Sequence, residues 1–186
     1  EFADVVLDNC VPEGDALLDI HGIKTNLKLI EEKYRELKCE KLIVLGDLYY
    51  QNEKNNDYDP KSVRTFLQAF SNNLVCIMGN CDFRINKSEE PFSIENDSVI
   101  NIQDNIYITH GHIYNDSNWP LSNSILIFGH YHIPFIKKID NNIYINPGSI
   151  SKQRNNNLPS YLFINDNEFT IFNIEGSIIS TIRINS

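Results

Sequence analysis

Apolar residues fall along this chain in short runs separated by polar turns, and the runs change character halfway. In the first half, Leu27, Ile30, Tyr34 and Leu37 recur at helical spacing, which predicts an amphipathic helix over roughly 25–38. Val63, Phe66, Leu67 and Phe70 give the buried stripe of a second helix, and Asp59-Pro60 supplies its start, a capping carboxylate followed by proline in the first turn. Two continuous apolar runs, 41–45 (KLIVL) and 74–78 (LVCIM), read as buried strands. Strand alternating with helix implies βαβ units and a parallel sheet.

The second half is a series of short strands. Residues 99–102 and 106–109 flank Gln103-Asp104-Asn105, a hairpin signal, and 125–128 follows as an apolar run. Residues 135–139 and 143–145 flank Asp140-Asn141-Asn142 in a second hairpin, and 161–164, 169–174 and 178–184 continue as strands. The pattern predicts an α/β fold of two packed sheets with helices outside, as a single domain over 16–186 without repeat or linker. Residues 1–15 fit less well. Pro12 and Gly14 leave only Ala16-Leu17-Leu18 as a strand ahead of Asp19, and the chain opens on Glu1-Phe2, so this stretch is expected to be irregular or non-native.

Composition changes this picture in a few respects. At 186 residues the chain is long enough for a sizeable two-layer core. The formal charge of −9 argues against tightly held nucleic acid, whose phosphates need lysine and arginine. A phosphate substrate stays compatible with it if metals supply the local positive charge. No apolar run approaches the roughly 20 residues of a membrane span, and no leader pattern is visible. Cys10, Cys39, Cys76 and Cys81 fit neither a zinc spacing nor a disulfide framework, which predicts reduced thiols and a cytoplasmic protein. Residues 155–157, all asparagine, suggest a surface loop, and isoleucine-rich edges leave room for a homodimer.

The candidate chemistry lies between the strands. All five histidines fall in three motifs, Asp19-Ile20-His21, His110-Gly111-His112 and His130-Tyr131-His132. Gly46-Asp47 and Gly79-Asn80-Cys81-Asp82 lie between them in sequence, and each motif follows an apolar run. That order gathers imidazoles, carboxylates and one carboxamide at a single sheet edge. Residues at i and i+2 share a face, so Asp19 pairs with His21 and His130 with His132. Carboxylates suit hard divalent cations and imidazole suits zinc, manganese, iron or nickel; Asp47, alone after its strand, is the natural bridge. Two ions about 3.5–4 Å apart would clamp a phosphate and generate a hydroxide nucleophile. Each motif alone is a weak signal; five in order, each after a predicted strand, agree across levels.

In that order, D-I-H-G, G-D, G-N-C-D, T-H-G-H, G-H-Y-H and N-P-G-S, the chain resembles the calcineurin-like metallophosphoesterases, and more closely their YfcE-type phosphodiesterase branch. The resemblance runs from about Leu17 to the carboxyl end and includes Asp57-Tyr58-Asp59-Pro60. It implies a four-layer αββα sandwich, two mixed sheets flanked by helices. It also implies two divalent ions, manganese first, with iron, zinc or nickel as alternatives. One would be held by Asp19, His21, Asp47 and His132, the other by Asp47, Asn80, His110 and His130. The implied activity is hydrolysis of a small, nucleotide-like phosphodiester by a metal-bridging hydroxide. A phosphomonoesterase or protein phosphatase on the same site is the alternative, and a scaffold like a eukaryotic retromer subunit of this fold is a third.

Three residues depart from or extend the general pattern. Most of the superfamily has histidine where Cys81 stands, acting on the leaving oxygen; here the thiol would donate a proton, stand as thiolate, or fill space, with Asp82 tuning it. His112 would face the phosphate or orient His110. The family's aspartate is usually preceded by serine, where this chain has Leu18. Asn146-Pro147-Gly148-Ser149 would close the site or touch substrate, Tyr49, Tyr50 and Trp119 are candidates for stacking on a base, and 52–57 reads as an exposed loop near the mouth.

Overall fold

Strict alternation along each strand decides which layer each side chain joins. In the computed structural model, residues 14–49, 56–96 and 99–184 are described. The first half forms β1 (Gly14–Leu18), α1 (Leu27–Glu36), β2 (Cys39–Val44), α2 (Pro60–Ala69) and β3 (Leu74–Cys76). Then come β4 (Ile100–Gln103), β5 (Ile106–Thr109), β6 (Ile125–Phe128), β7 (Phe135–Ile139) and β8 (Asn142–Asn146). β9 (Ser160–Asn165), β10 (Glu168–Asn173) and β11 (Ile178–Arg183) complete the chain.

These strands make two mixed sheets. One has six strands in the order β11-β10-β9-β1-β2-β3, the other five in the order β4-β5-β6-β8-β7. β1, β2 and β3 run parallel, with Leu17 opposite Ile43 and Ile43 opposite Val75. β5, β6 and β8 are parallel likewise, and β7 returns antiparallel on β8 as the second predicted hairpin.

Between the sheets lie Leu17, Ile43, Leu162 and Ile171 from one and Ile108, Ile127 and Ile145 from the other, all without solvent exposure. Their neighbours point the other way. Leu18, Leu42, Val44 and Phe163 meet Leu27 and Ile30 of α1 and Val63 and Leu67 of α2. On the far face of the five-stranded sheet, Leu126, Phe128 and Tyr144 pack with Tyr107, Trp119 and Phe135. The expected sandwich is therefore present. Its outer layer on that side is the irregular chain around Trp119, whose aromatic side chains cover the sheet where a regular helix was expected.

Local chemistry explains the element ends. Asp59 caps α2, its Oδ1 accepting the Ser62 amide at 3.1 Å, with Pro60 in the first turn. Asn26 precedes α1 in a left-handed conformation and does not cap it; its Nδ2 donates instead to the Ile150 carbonyl at 2.7 Å. The 74–78 run leaves the sheet after Cys76, and the Met78 amide bonds the Glu95 carbonyl. β1 begins at Gly14, so Gly14 and Asp15 belong to the sheet; the rest of the stretch expected to be irregular lies outside the described residues.

Ile108→Ala should lower the unfolding free energy by about 2–5 kcal/mol, because its site between two sheets cannot collapse around the lost methyls. Ile178→Ala, on the exposed face of β11, should stay within about 0.5 kcal/mol. Urea denaturation of the two variants beside the unchanged chain measures both.

Candidate metal centre

Parallel strands end at a common edge, and that edge carries the chemistry. Asp19 and His21 follow β1, Asp47 follows β2 and Asn80 follows β3; His110 follows β5, and His130 and His132 follow β6. The backbone there is held in an unusual state. His21, Asp47, His130 and His132 have φ of 49°, 54°, 62° and 57°, in the left-handed region that costs a non-glycine residue about 1–3 kcal/mol. Strain of this kind survives only where surrounding structure over-determines it, and the four instances sit at one edge of the sandwich, at strand ends of both sheets where a single sheet edge was expected.

The first cluster joins Asp19, His21 and His132. His21 Nε2 lies 2.7 Å from Asp19 Oδ1 and 2.8 Å from His132 Nε2, which is itself 3.5 Å from Asp19 Oδ2. One proton on His21 Nε2 cannot serve both neighbours, and neither buried oxygen of Asp19 accepts a hydrogen bond of good geometry. A cation bound by all three atoms resolves the conflict. Burial alone would raise the Asp19 carboxyl, yet the facing His21 and His132 outweigh it and bring it down to about 2. Burial lowers His21 too, but Asp19 beside it more than compensates and its pKa is raised. His132, buried and near His21, is pushed down to about 4 against the pull of Asp19, which keeps its ring neutral as a ligand requires.

The second cluster joins Asp47, His110 and His130. His110 Nδ1 donates to the Leu45 carbonyl at 2.6 Å, so in the neutral ring Nε2 carries the lone pair. That lone pair faces Asn80 Oδ1 at 3.1 Å and Asp47 Oδ1 at 3.5 Å. Three acceptors aimed at one another fit a cation. His130, half-buried, is depressed by burial and then by His110. Asp47 stands between the clusters, its Oδ2 3.9 Å from His21 Nδ1 and its Oδ1 also accepting the Cys81 amide at 2.9 Å.

Two glycines make room for this. A Cβ on Gly46, whose φ is 101°, would come within 2.6 Å of His110 Nδ1, and one on Gly79 would strike the Asp47 carboxylate and amide. Neither position admits any other side chain without displacing a donor.

Every proposed metal-binding residue therefore reaches one of the two clusters, Asn80 included. Cys81 is half-buried beside them. Burial, then Asp47, push its thiol up to about 12, so the protein's own groups keep it protonated. Asp82 does not bond the thiol. Its carboxylate accepts the Gly79 amide at 2.8 Å and the Tyr49 amide at 3.4 Å, shaping the turn that presents Asn80; burial raises its pKa to about 6. His112 stands at the mouth, its ring centroid 5.3 Å from that of His110 and 6.2 Å from that of His130. Orienting His110 falls to the Leu45 carbonyl, a partner invisible in any motif.

The N-P-G-S loop is a clasp. Asn146 Nδ2 donates to the Gly129 carbonyl at 2.6 Å, and Ser149 Oγ to the Asp19 carbonyl at 3.3 Å. Two base-stacking candidates are engaged elsewhere: Trp119 donates to Ser124 Oγ at 2.8 Å in the far aromatic layer, and Tyr49 donates to Glu90 at 3.0 Å. Tyr50 and residues 52–55 lie outside the described residues. Lys152 and Arg154 went unnoticed in the motifs. Both sit near the clusters electrically, Lys152 acting on His21 and Cys81 and Arg154 on His130 and His132. Their only sequence signal is two cations just beyond N-P-G-S in an acidic chain.

A two-sheet sandwich with paired clusters of nitrogen and oxygen donors at one edge defines a metal-dependent phosphoesterase architecture. The chain belongs to the calcineurin-like phosphoesterase superfamily, whose family model matches residues 16–168. It is 26% identical to phosphodiesterase YfcE of Escherichia coli strain K12 over 175 residues, 90% of this chain and 95% of that protein. The solved structure of E. coli Yfce, a phosphoesterase, superposes with a TM-score of 0.83 at 24% identity, covering 92% of this chain and 100% of the other. Vps29 of Entamoeba histolytica, solved with zinc, shares the fold at a TM-score of 0.53 and 21% identity over 91% of this chain and 98% of its own.

Divalent metal should raise the melting temperature of the unchanged chain, since a cation binding only the folded state stabilises it. Gly79→Ala should lose most of that rise while keeping its far-ultraviolet circular dichroism, because the added methyl displaces Asp47. A full metal-induced shift in the variant would contradict this account of the glycine.

Proposed function

We propose that the protein is a dinuclear-metal phosphodiesterase acting on small diesters, with manganese as the first candidate metal. The observation that carries this reading is Asp47, whose Oδ1 faces His110 of the second cluster at 3.5 Å while its Oδ2 lies 3.9 Å from the His21 ring of the first. Asp19, His21 and His132 would hold one ion and Asn80, His110 and His130 the other, with Asp47 shared. Bound there, divalent cations would supply Lewis-acid charge to the phosphoryl oxygens and make water a stronger nucleophile at neutral pH. The named relative of E. coli is a phosphodiesterase, which favours a diester over a monoester. Three free thiols among the described residues, Cys39, Cys76 and Cys81, fit a reducing compartment, and we place the protein in the cytoplasm. Among the described residues no helix is long and apolar enough to cross a membrane.

The chain's own groups divide the remaining work. The Leu45 carbonyl holds His110 in one tautomer, and the Ser149 clasp holds the Asp19 loop. Cys81, whose thiol pKa is raised first by burial and then by Asp47, would donate its thiol proton to the leaving oxygen. His112, at the mouth beside His110 and His130, is placed to contact the phosphate.

Metal-stripped protein should hydrolyse bis-p-nitrophenyl phosphate only after manganese is added back, and Asp47→Asn should lose at least about 100-fold in kcat. Turnover of p-nitrophenyl monophosphate faster than the diester would instead establish a phosphomonoesterase. Cys81→Ala should slow alkyl p-nitrophenyl diesters little and dialkyl diesters by about 100-fold or more, the usual range for a lost proton donor. Equal losses on both would remove the thiol from the chemistry.

A further inference from the structure

The segment after the clasp is fastened to both sides of the first cluster. Ser151 Oγ donates to the Ile20 carbonyl at 2.6 Å, and the Lys152 amide donates to Ser149 Oγ at 3.0 Å. At its far end the Arg154 amide donates to the His132 carbonyl at 3.4 Å. The chain therefore crosses from the loop after β1 to the loop after β6, and these two loops come from different sheets. It carries a cation at each end of the crossing. Lys152 is half-buried, and its ammonium is near enough to act on His21 and Cys81, one on each side of the space between the clusters. Arg154 is exposed, acts on His130 and His132, and among the described residues pairs with no carboxylate.

This placement is unusual for the chain as a whole. The protein carries a formal charge of −9, and Asp19, Asp47 and Asp82 all lie at the site. An approaching phosphate meets that negative field before it meets any metal. Two cations pinned at the rim oppose it where a substrate would enter. Arginine offers a planar fork that matches two phosphate oxygens, and lysine offers a compact charge.

We propose that Lys152 and Arg154 form the anion-binding arm of this site, taking the non-bridging oxygens of a phosphoryl group set over the two donor clusters. The proposal rests on the phosphodiesterase reading for its substrate, but the binding of phosphate tests it without turnover. Lys152 stands at the Ile20 end of the segment and Arg154 at the His132 end. Both are specificity and positioning residues, and their charge, not their fit in a core, is what they contribute.

The test is calorimetric titration of inorganic phosphate into the manganese-loaded full chain, with bound metal and melting temperature measured on the same samples. Lys152→Ala and Arg154→Ala should each weaken phosphate binding about 10-fold, and the double variant about 100-fold, as expected for lost charged hydrogen bonds at separate positions. Metal content and melting temperature should stay as in the unchanged chain, and Lys152→Arg and Arg154→Lys should each keep more of the affinity than the alanine variant at the same position. With bis-p-nitrophenyl phosphate, the alanine variants should raise KM more than they lower kcat. Phosphate affinity within twofold of normal in the double variant would overturn the proposal. So would affinity lost only together with metal, which makes the segment a clasp and nothing more. A chain that binds phosphate through these cations yet hydrolyses no diester would refute the phosphodiesterase reading and leave this inference standing.

Discussion

Seven side chains from five different loops point their donor atoms into two small volumes, and every donor wants the same thing, a positive charge. Asp19 is fully buried with both oxygens short of hydrogen-bond donors, and the ring nitrogens of His21 and His132 face one another at 2.8 Å. Without a cation such a group is a crowd of lone pairs in a dry place, which ordinary folding would avoid. The rest of the structure is arranged so that this crowd cannot disperse. A metal bound there would add its binding energy to the stability of the fold, because folding is what brings these groups together.

The means of holding them is backbone rigidity. Left-handed conformations at His21, Asp47, His130 and His132 are each unfavourable, and they persist because both sheets grip the strand ends just before them. Fully buried inter-sheet residues such as Leu17, Ile43, Ile108 and Ile127 lie within a few residues of those turns, each contributing about 1.5–3 kcal/mol by leaving water. Packing in the sandwich thus offsets strain at its edge. Glycines complete the arrangement by absence: Gly46 and Gly79 let two loops approach where any Cβ would push His110 or Asp47 aside.

Electrostatics follows from the same geometry. An acidic chain that handles an anion needs local cations, and they come in two kinds. Metal ions would sit deep, between the clusters, and Lys152 and Arg154 stand on a strap stapled to the loops after β1 and β6. The lowered pKa of His132 and the raised pKa of Cys81 both arise from burial first and neighbouring charge second.

Much of this was legible in the sequence because the signals are local. Continuous apolar runs such as KLIVL and ILIF mark buried strands, a period of 3.6 around Val63 and Phe66 marks a helix stripe, and the folded elements follow both. The order of the histidine and aspartate motifs, each just past a strand, likewise pointed to the six side chains that meet in two clusters and to Asn80 against His110. Sequence alone could not say that Trp119 covers the far sheet, that the Leu45 carbonyl sets the His110 tautomer, or that β1 reaches back to Gly14. Nor could it place Arg154 beside His132. Those facts depend on which strand neighbours which: His21 meets His132 across 111 residues only because β1 and β6 end at one edge of facing sheets. Periodicity is set by a residue and its near neighbours, whereas the site is set by the order of strands, and that order is decided only when the two sheets close on their common core.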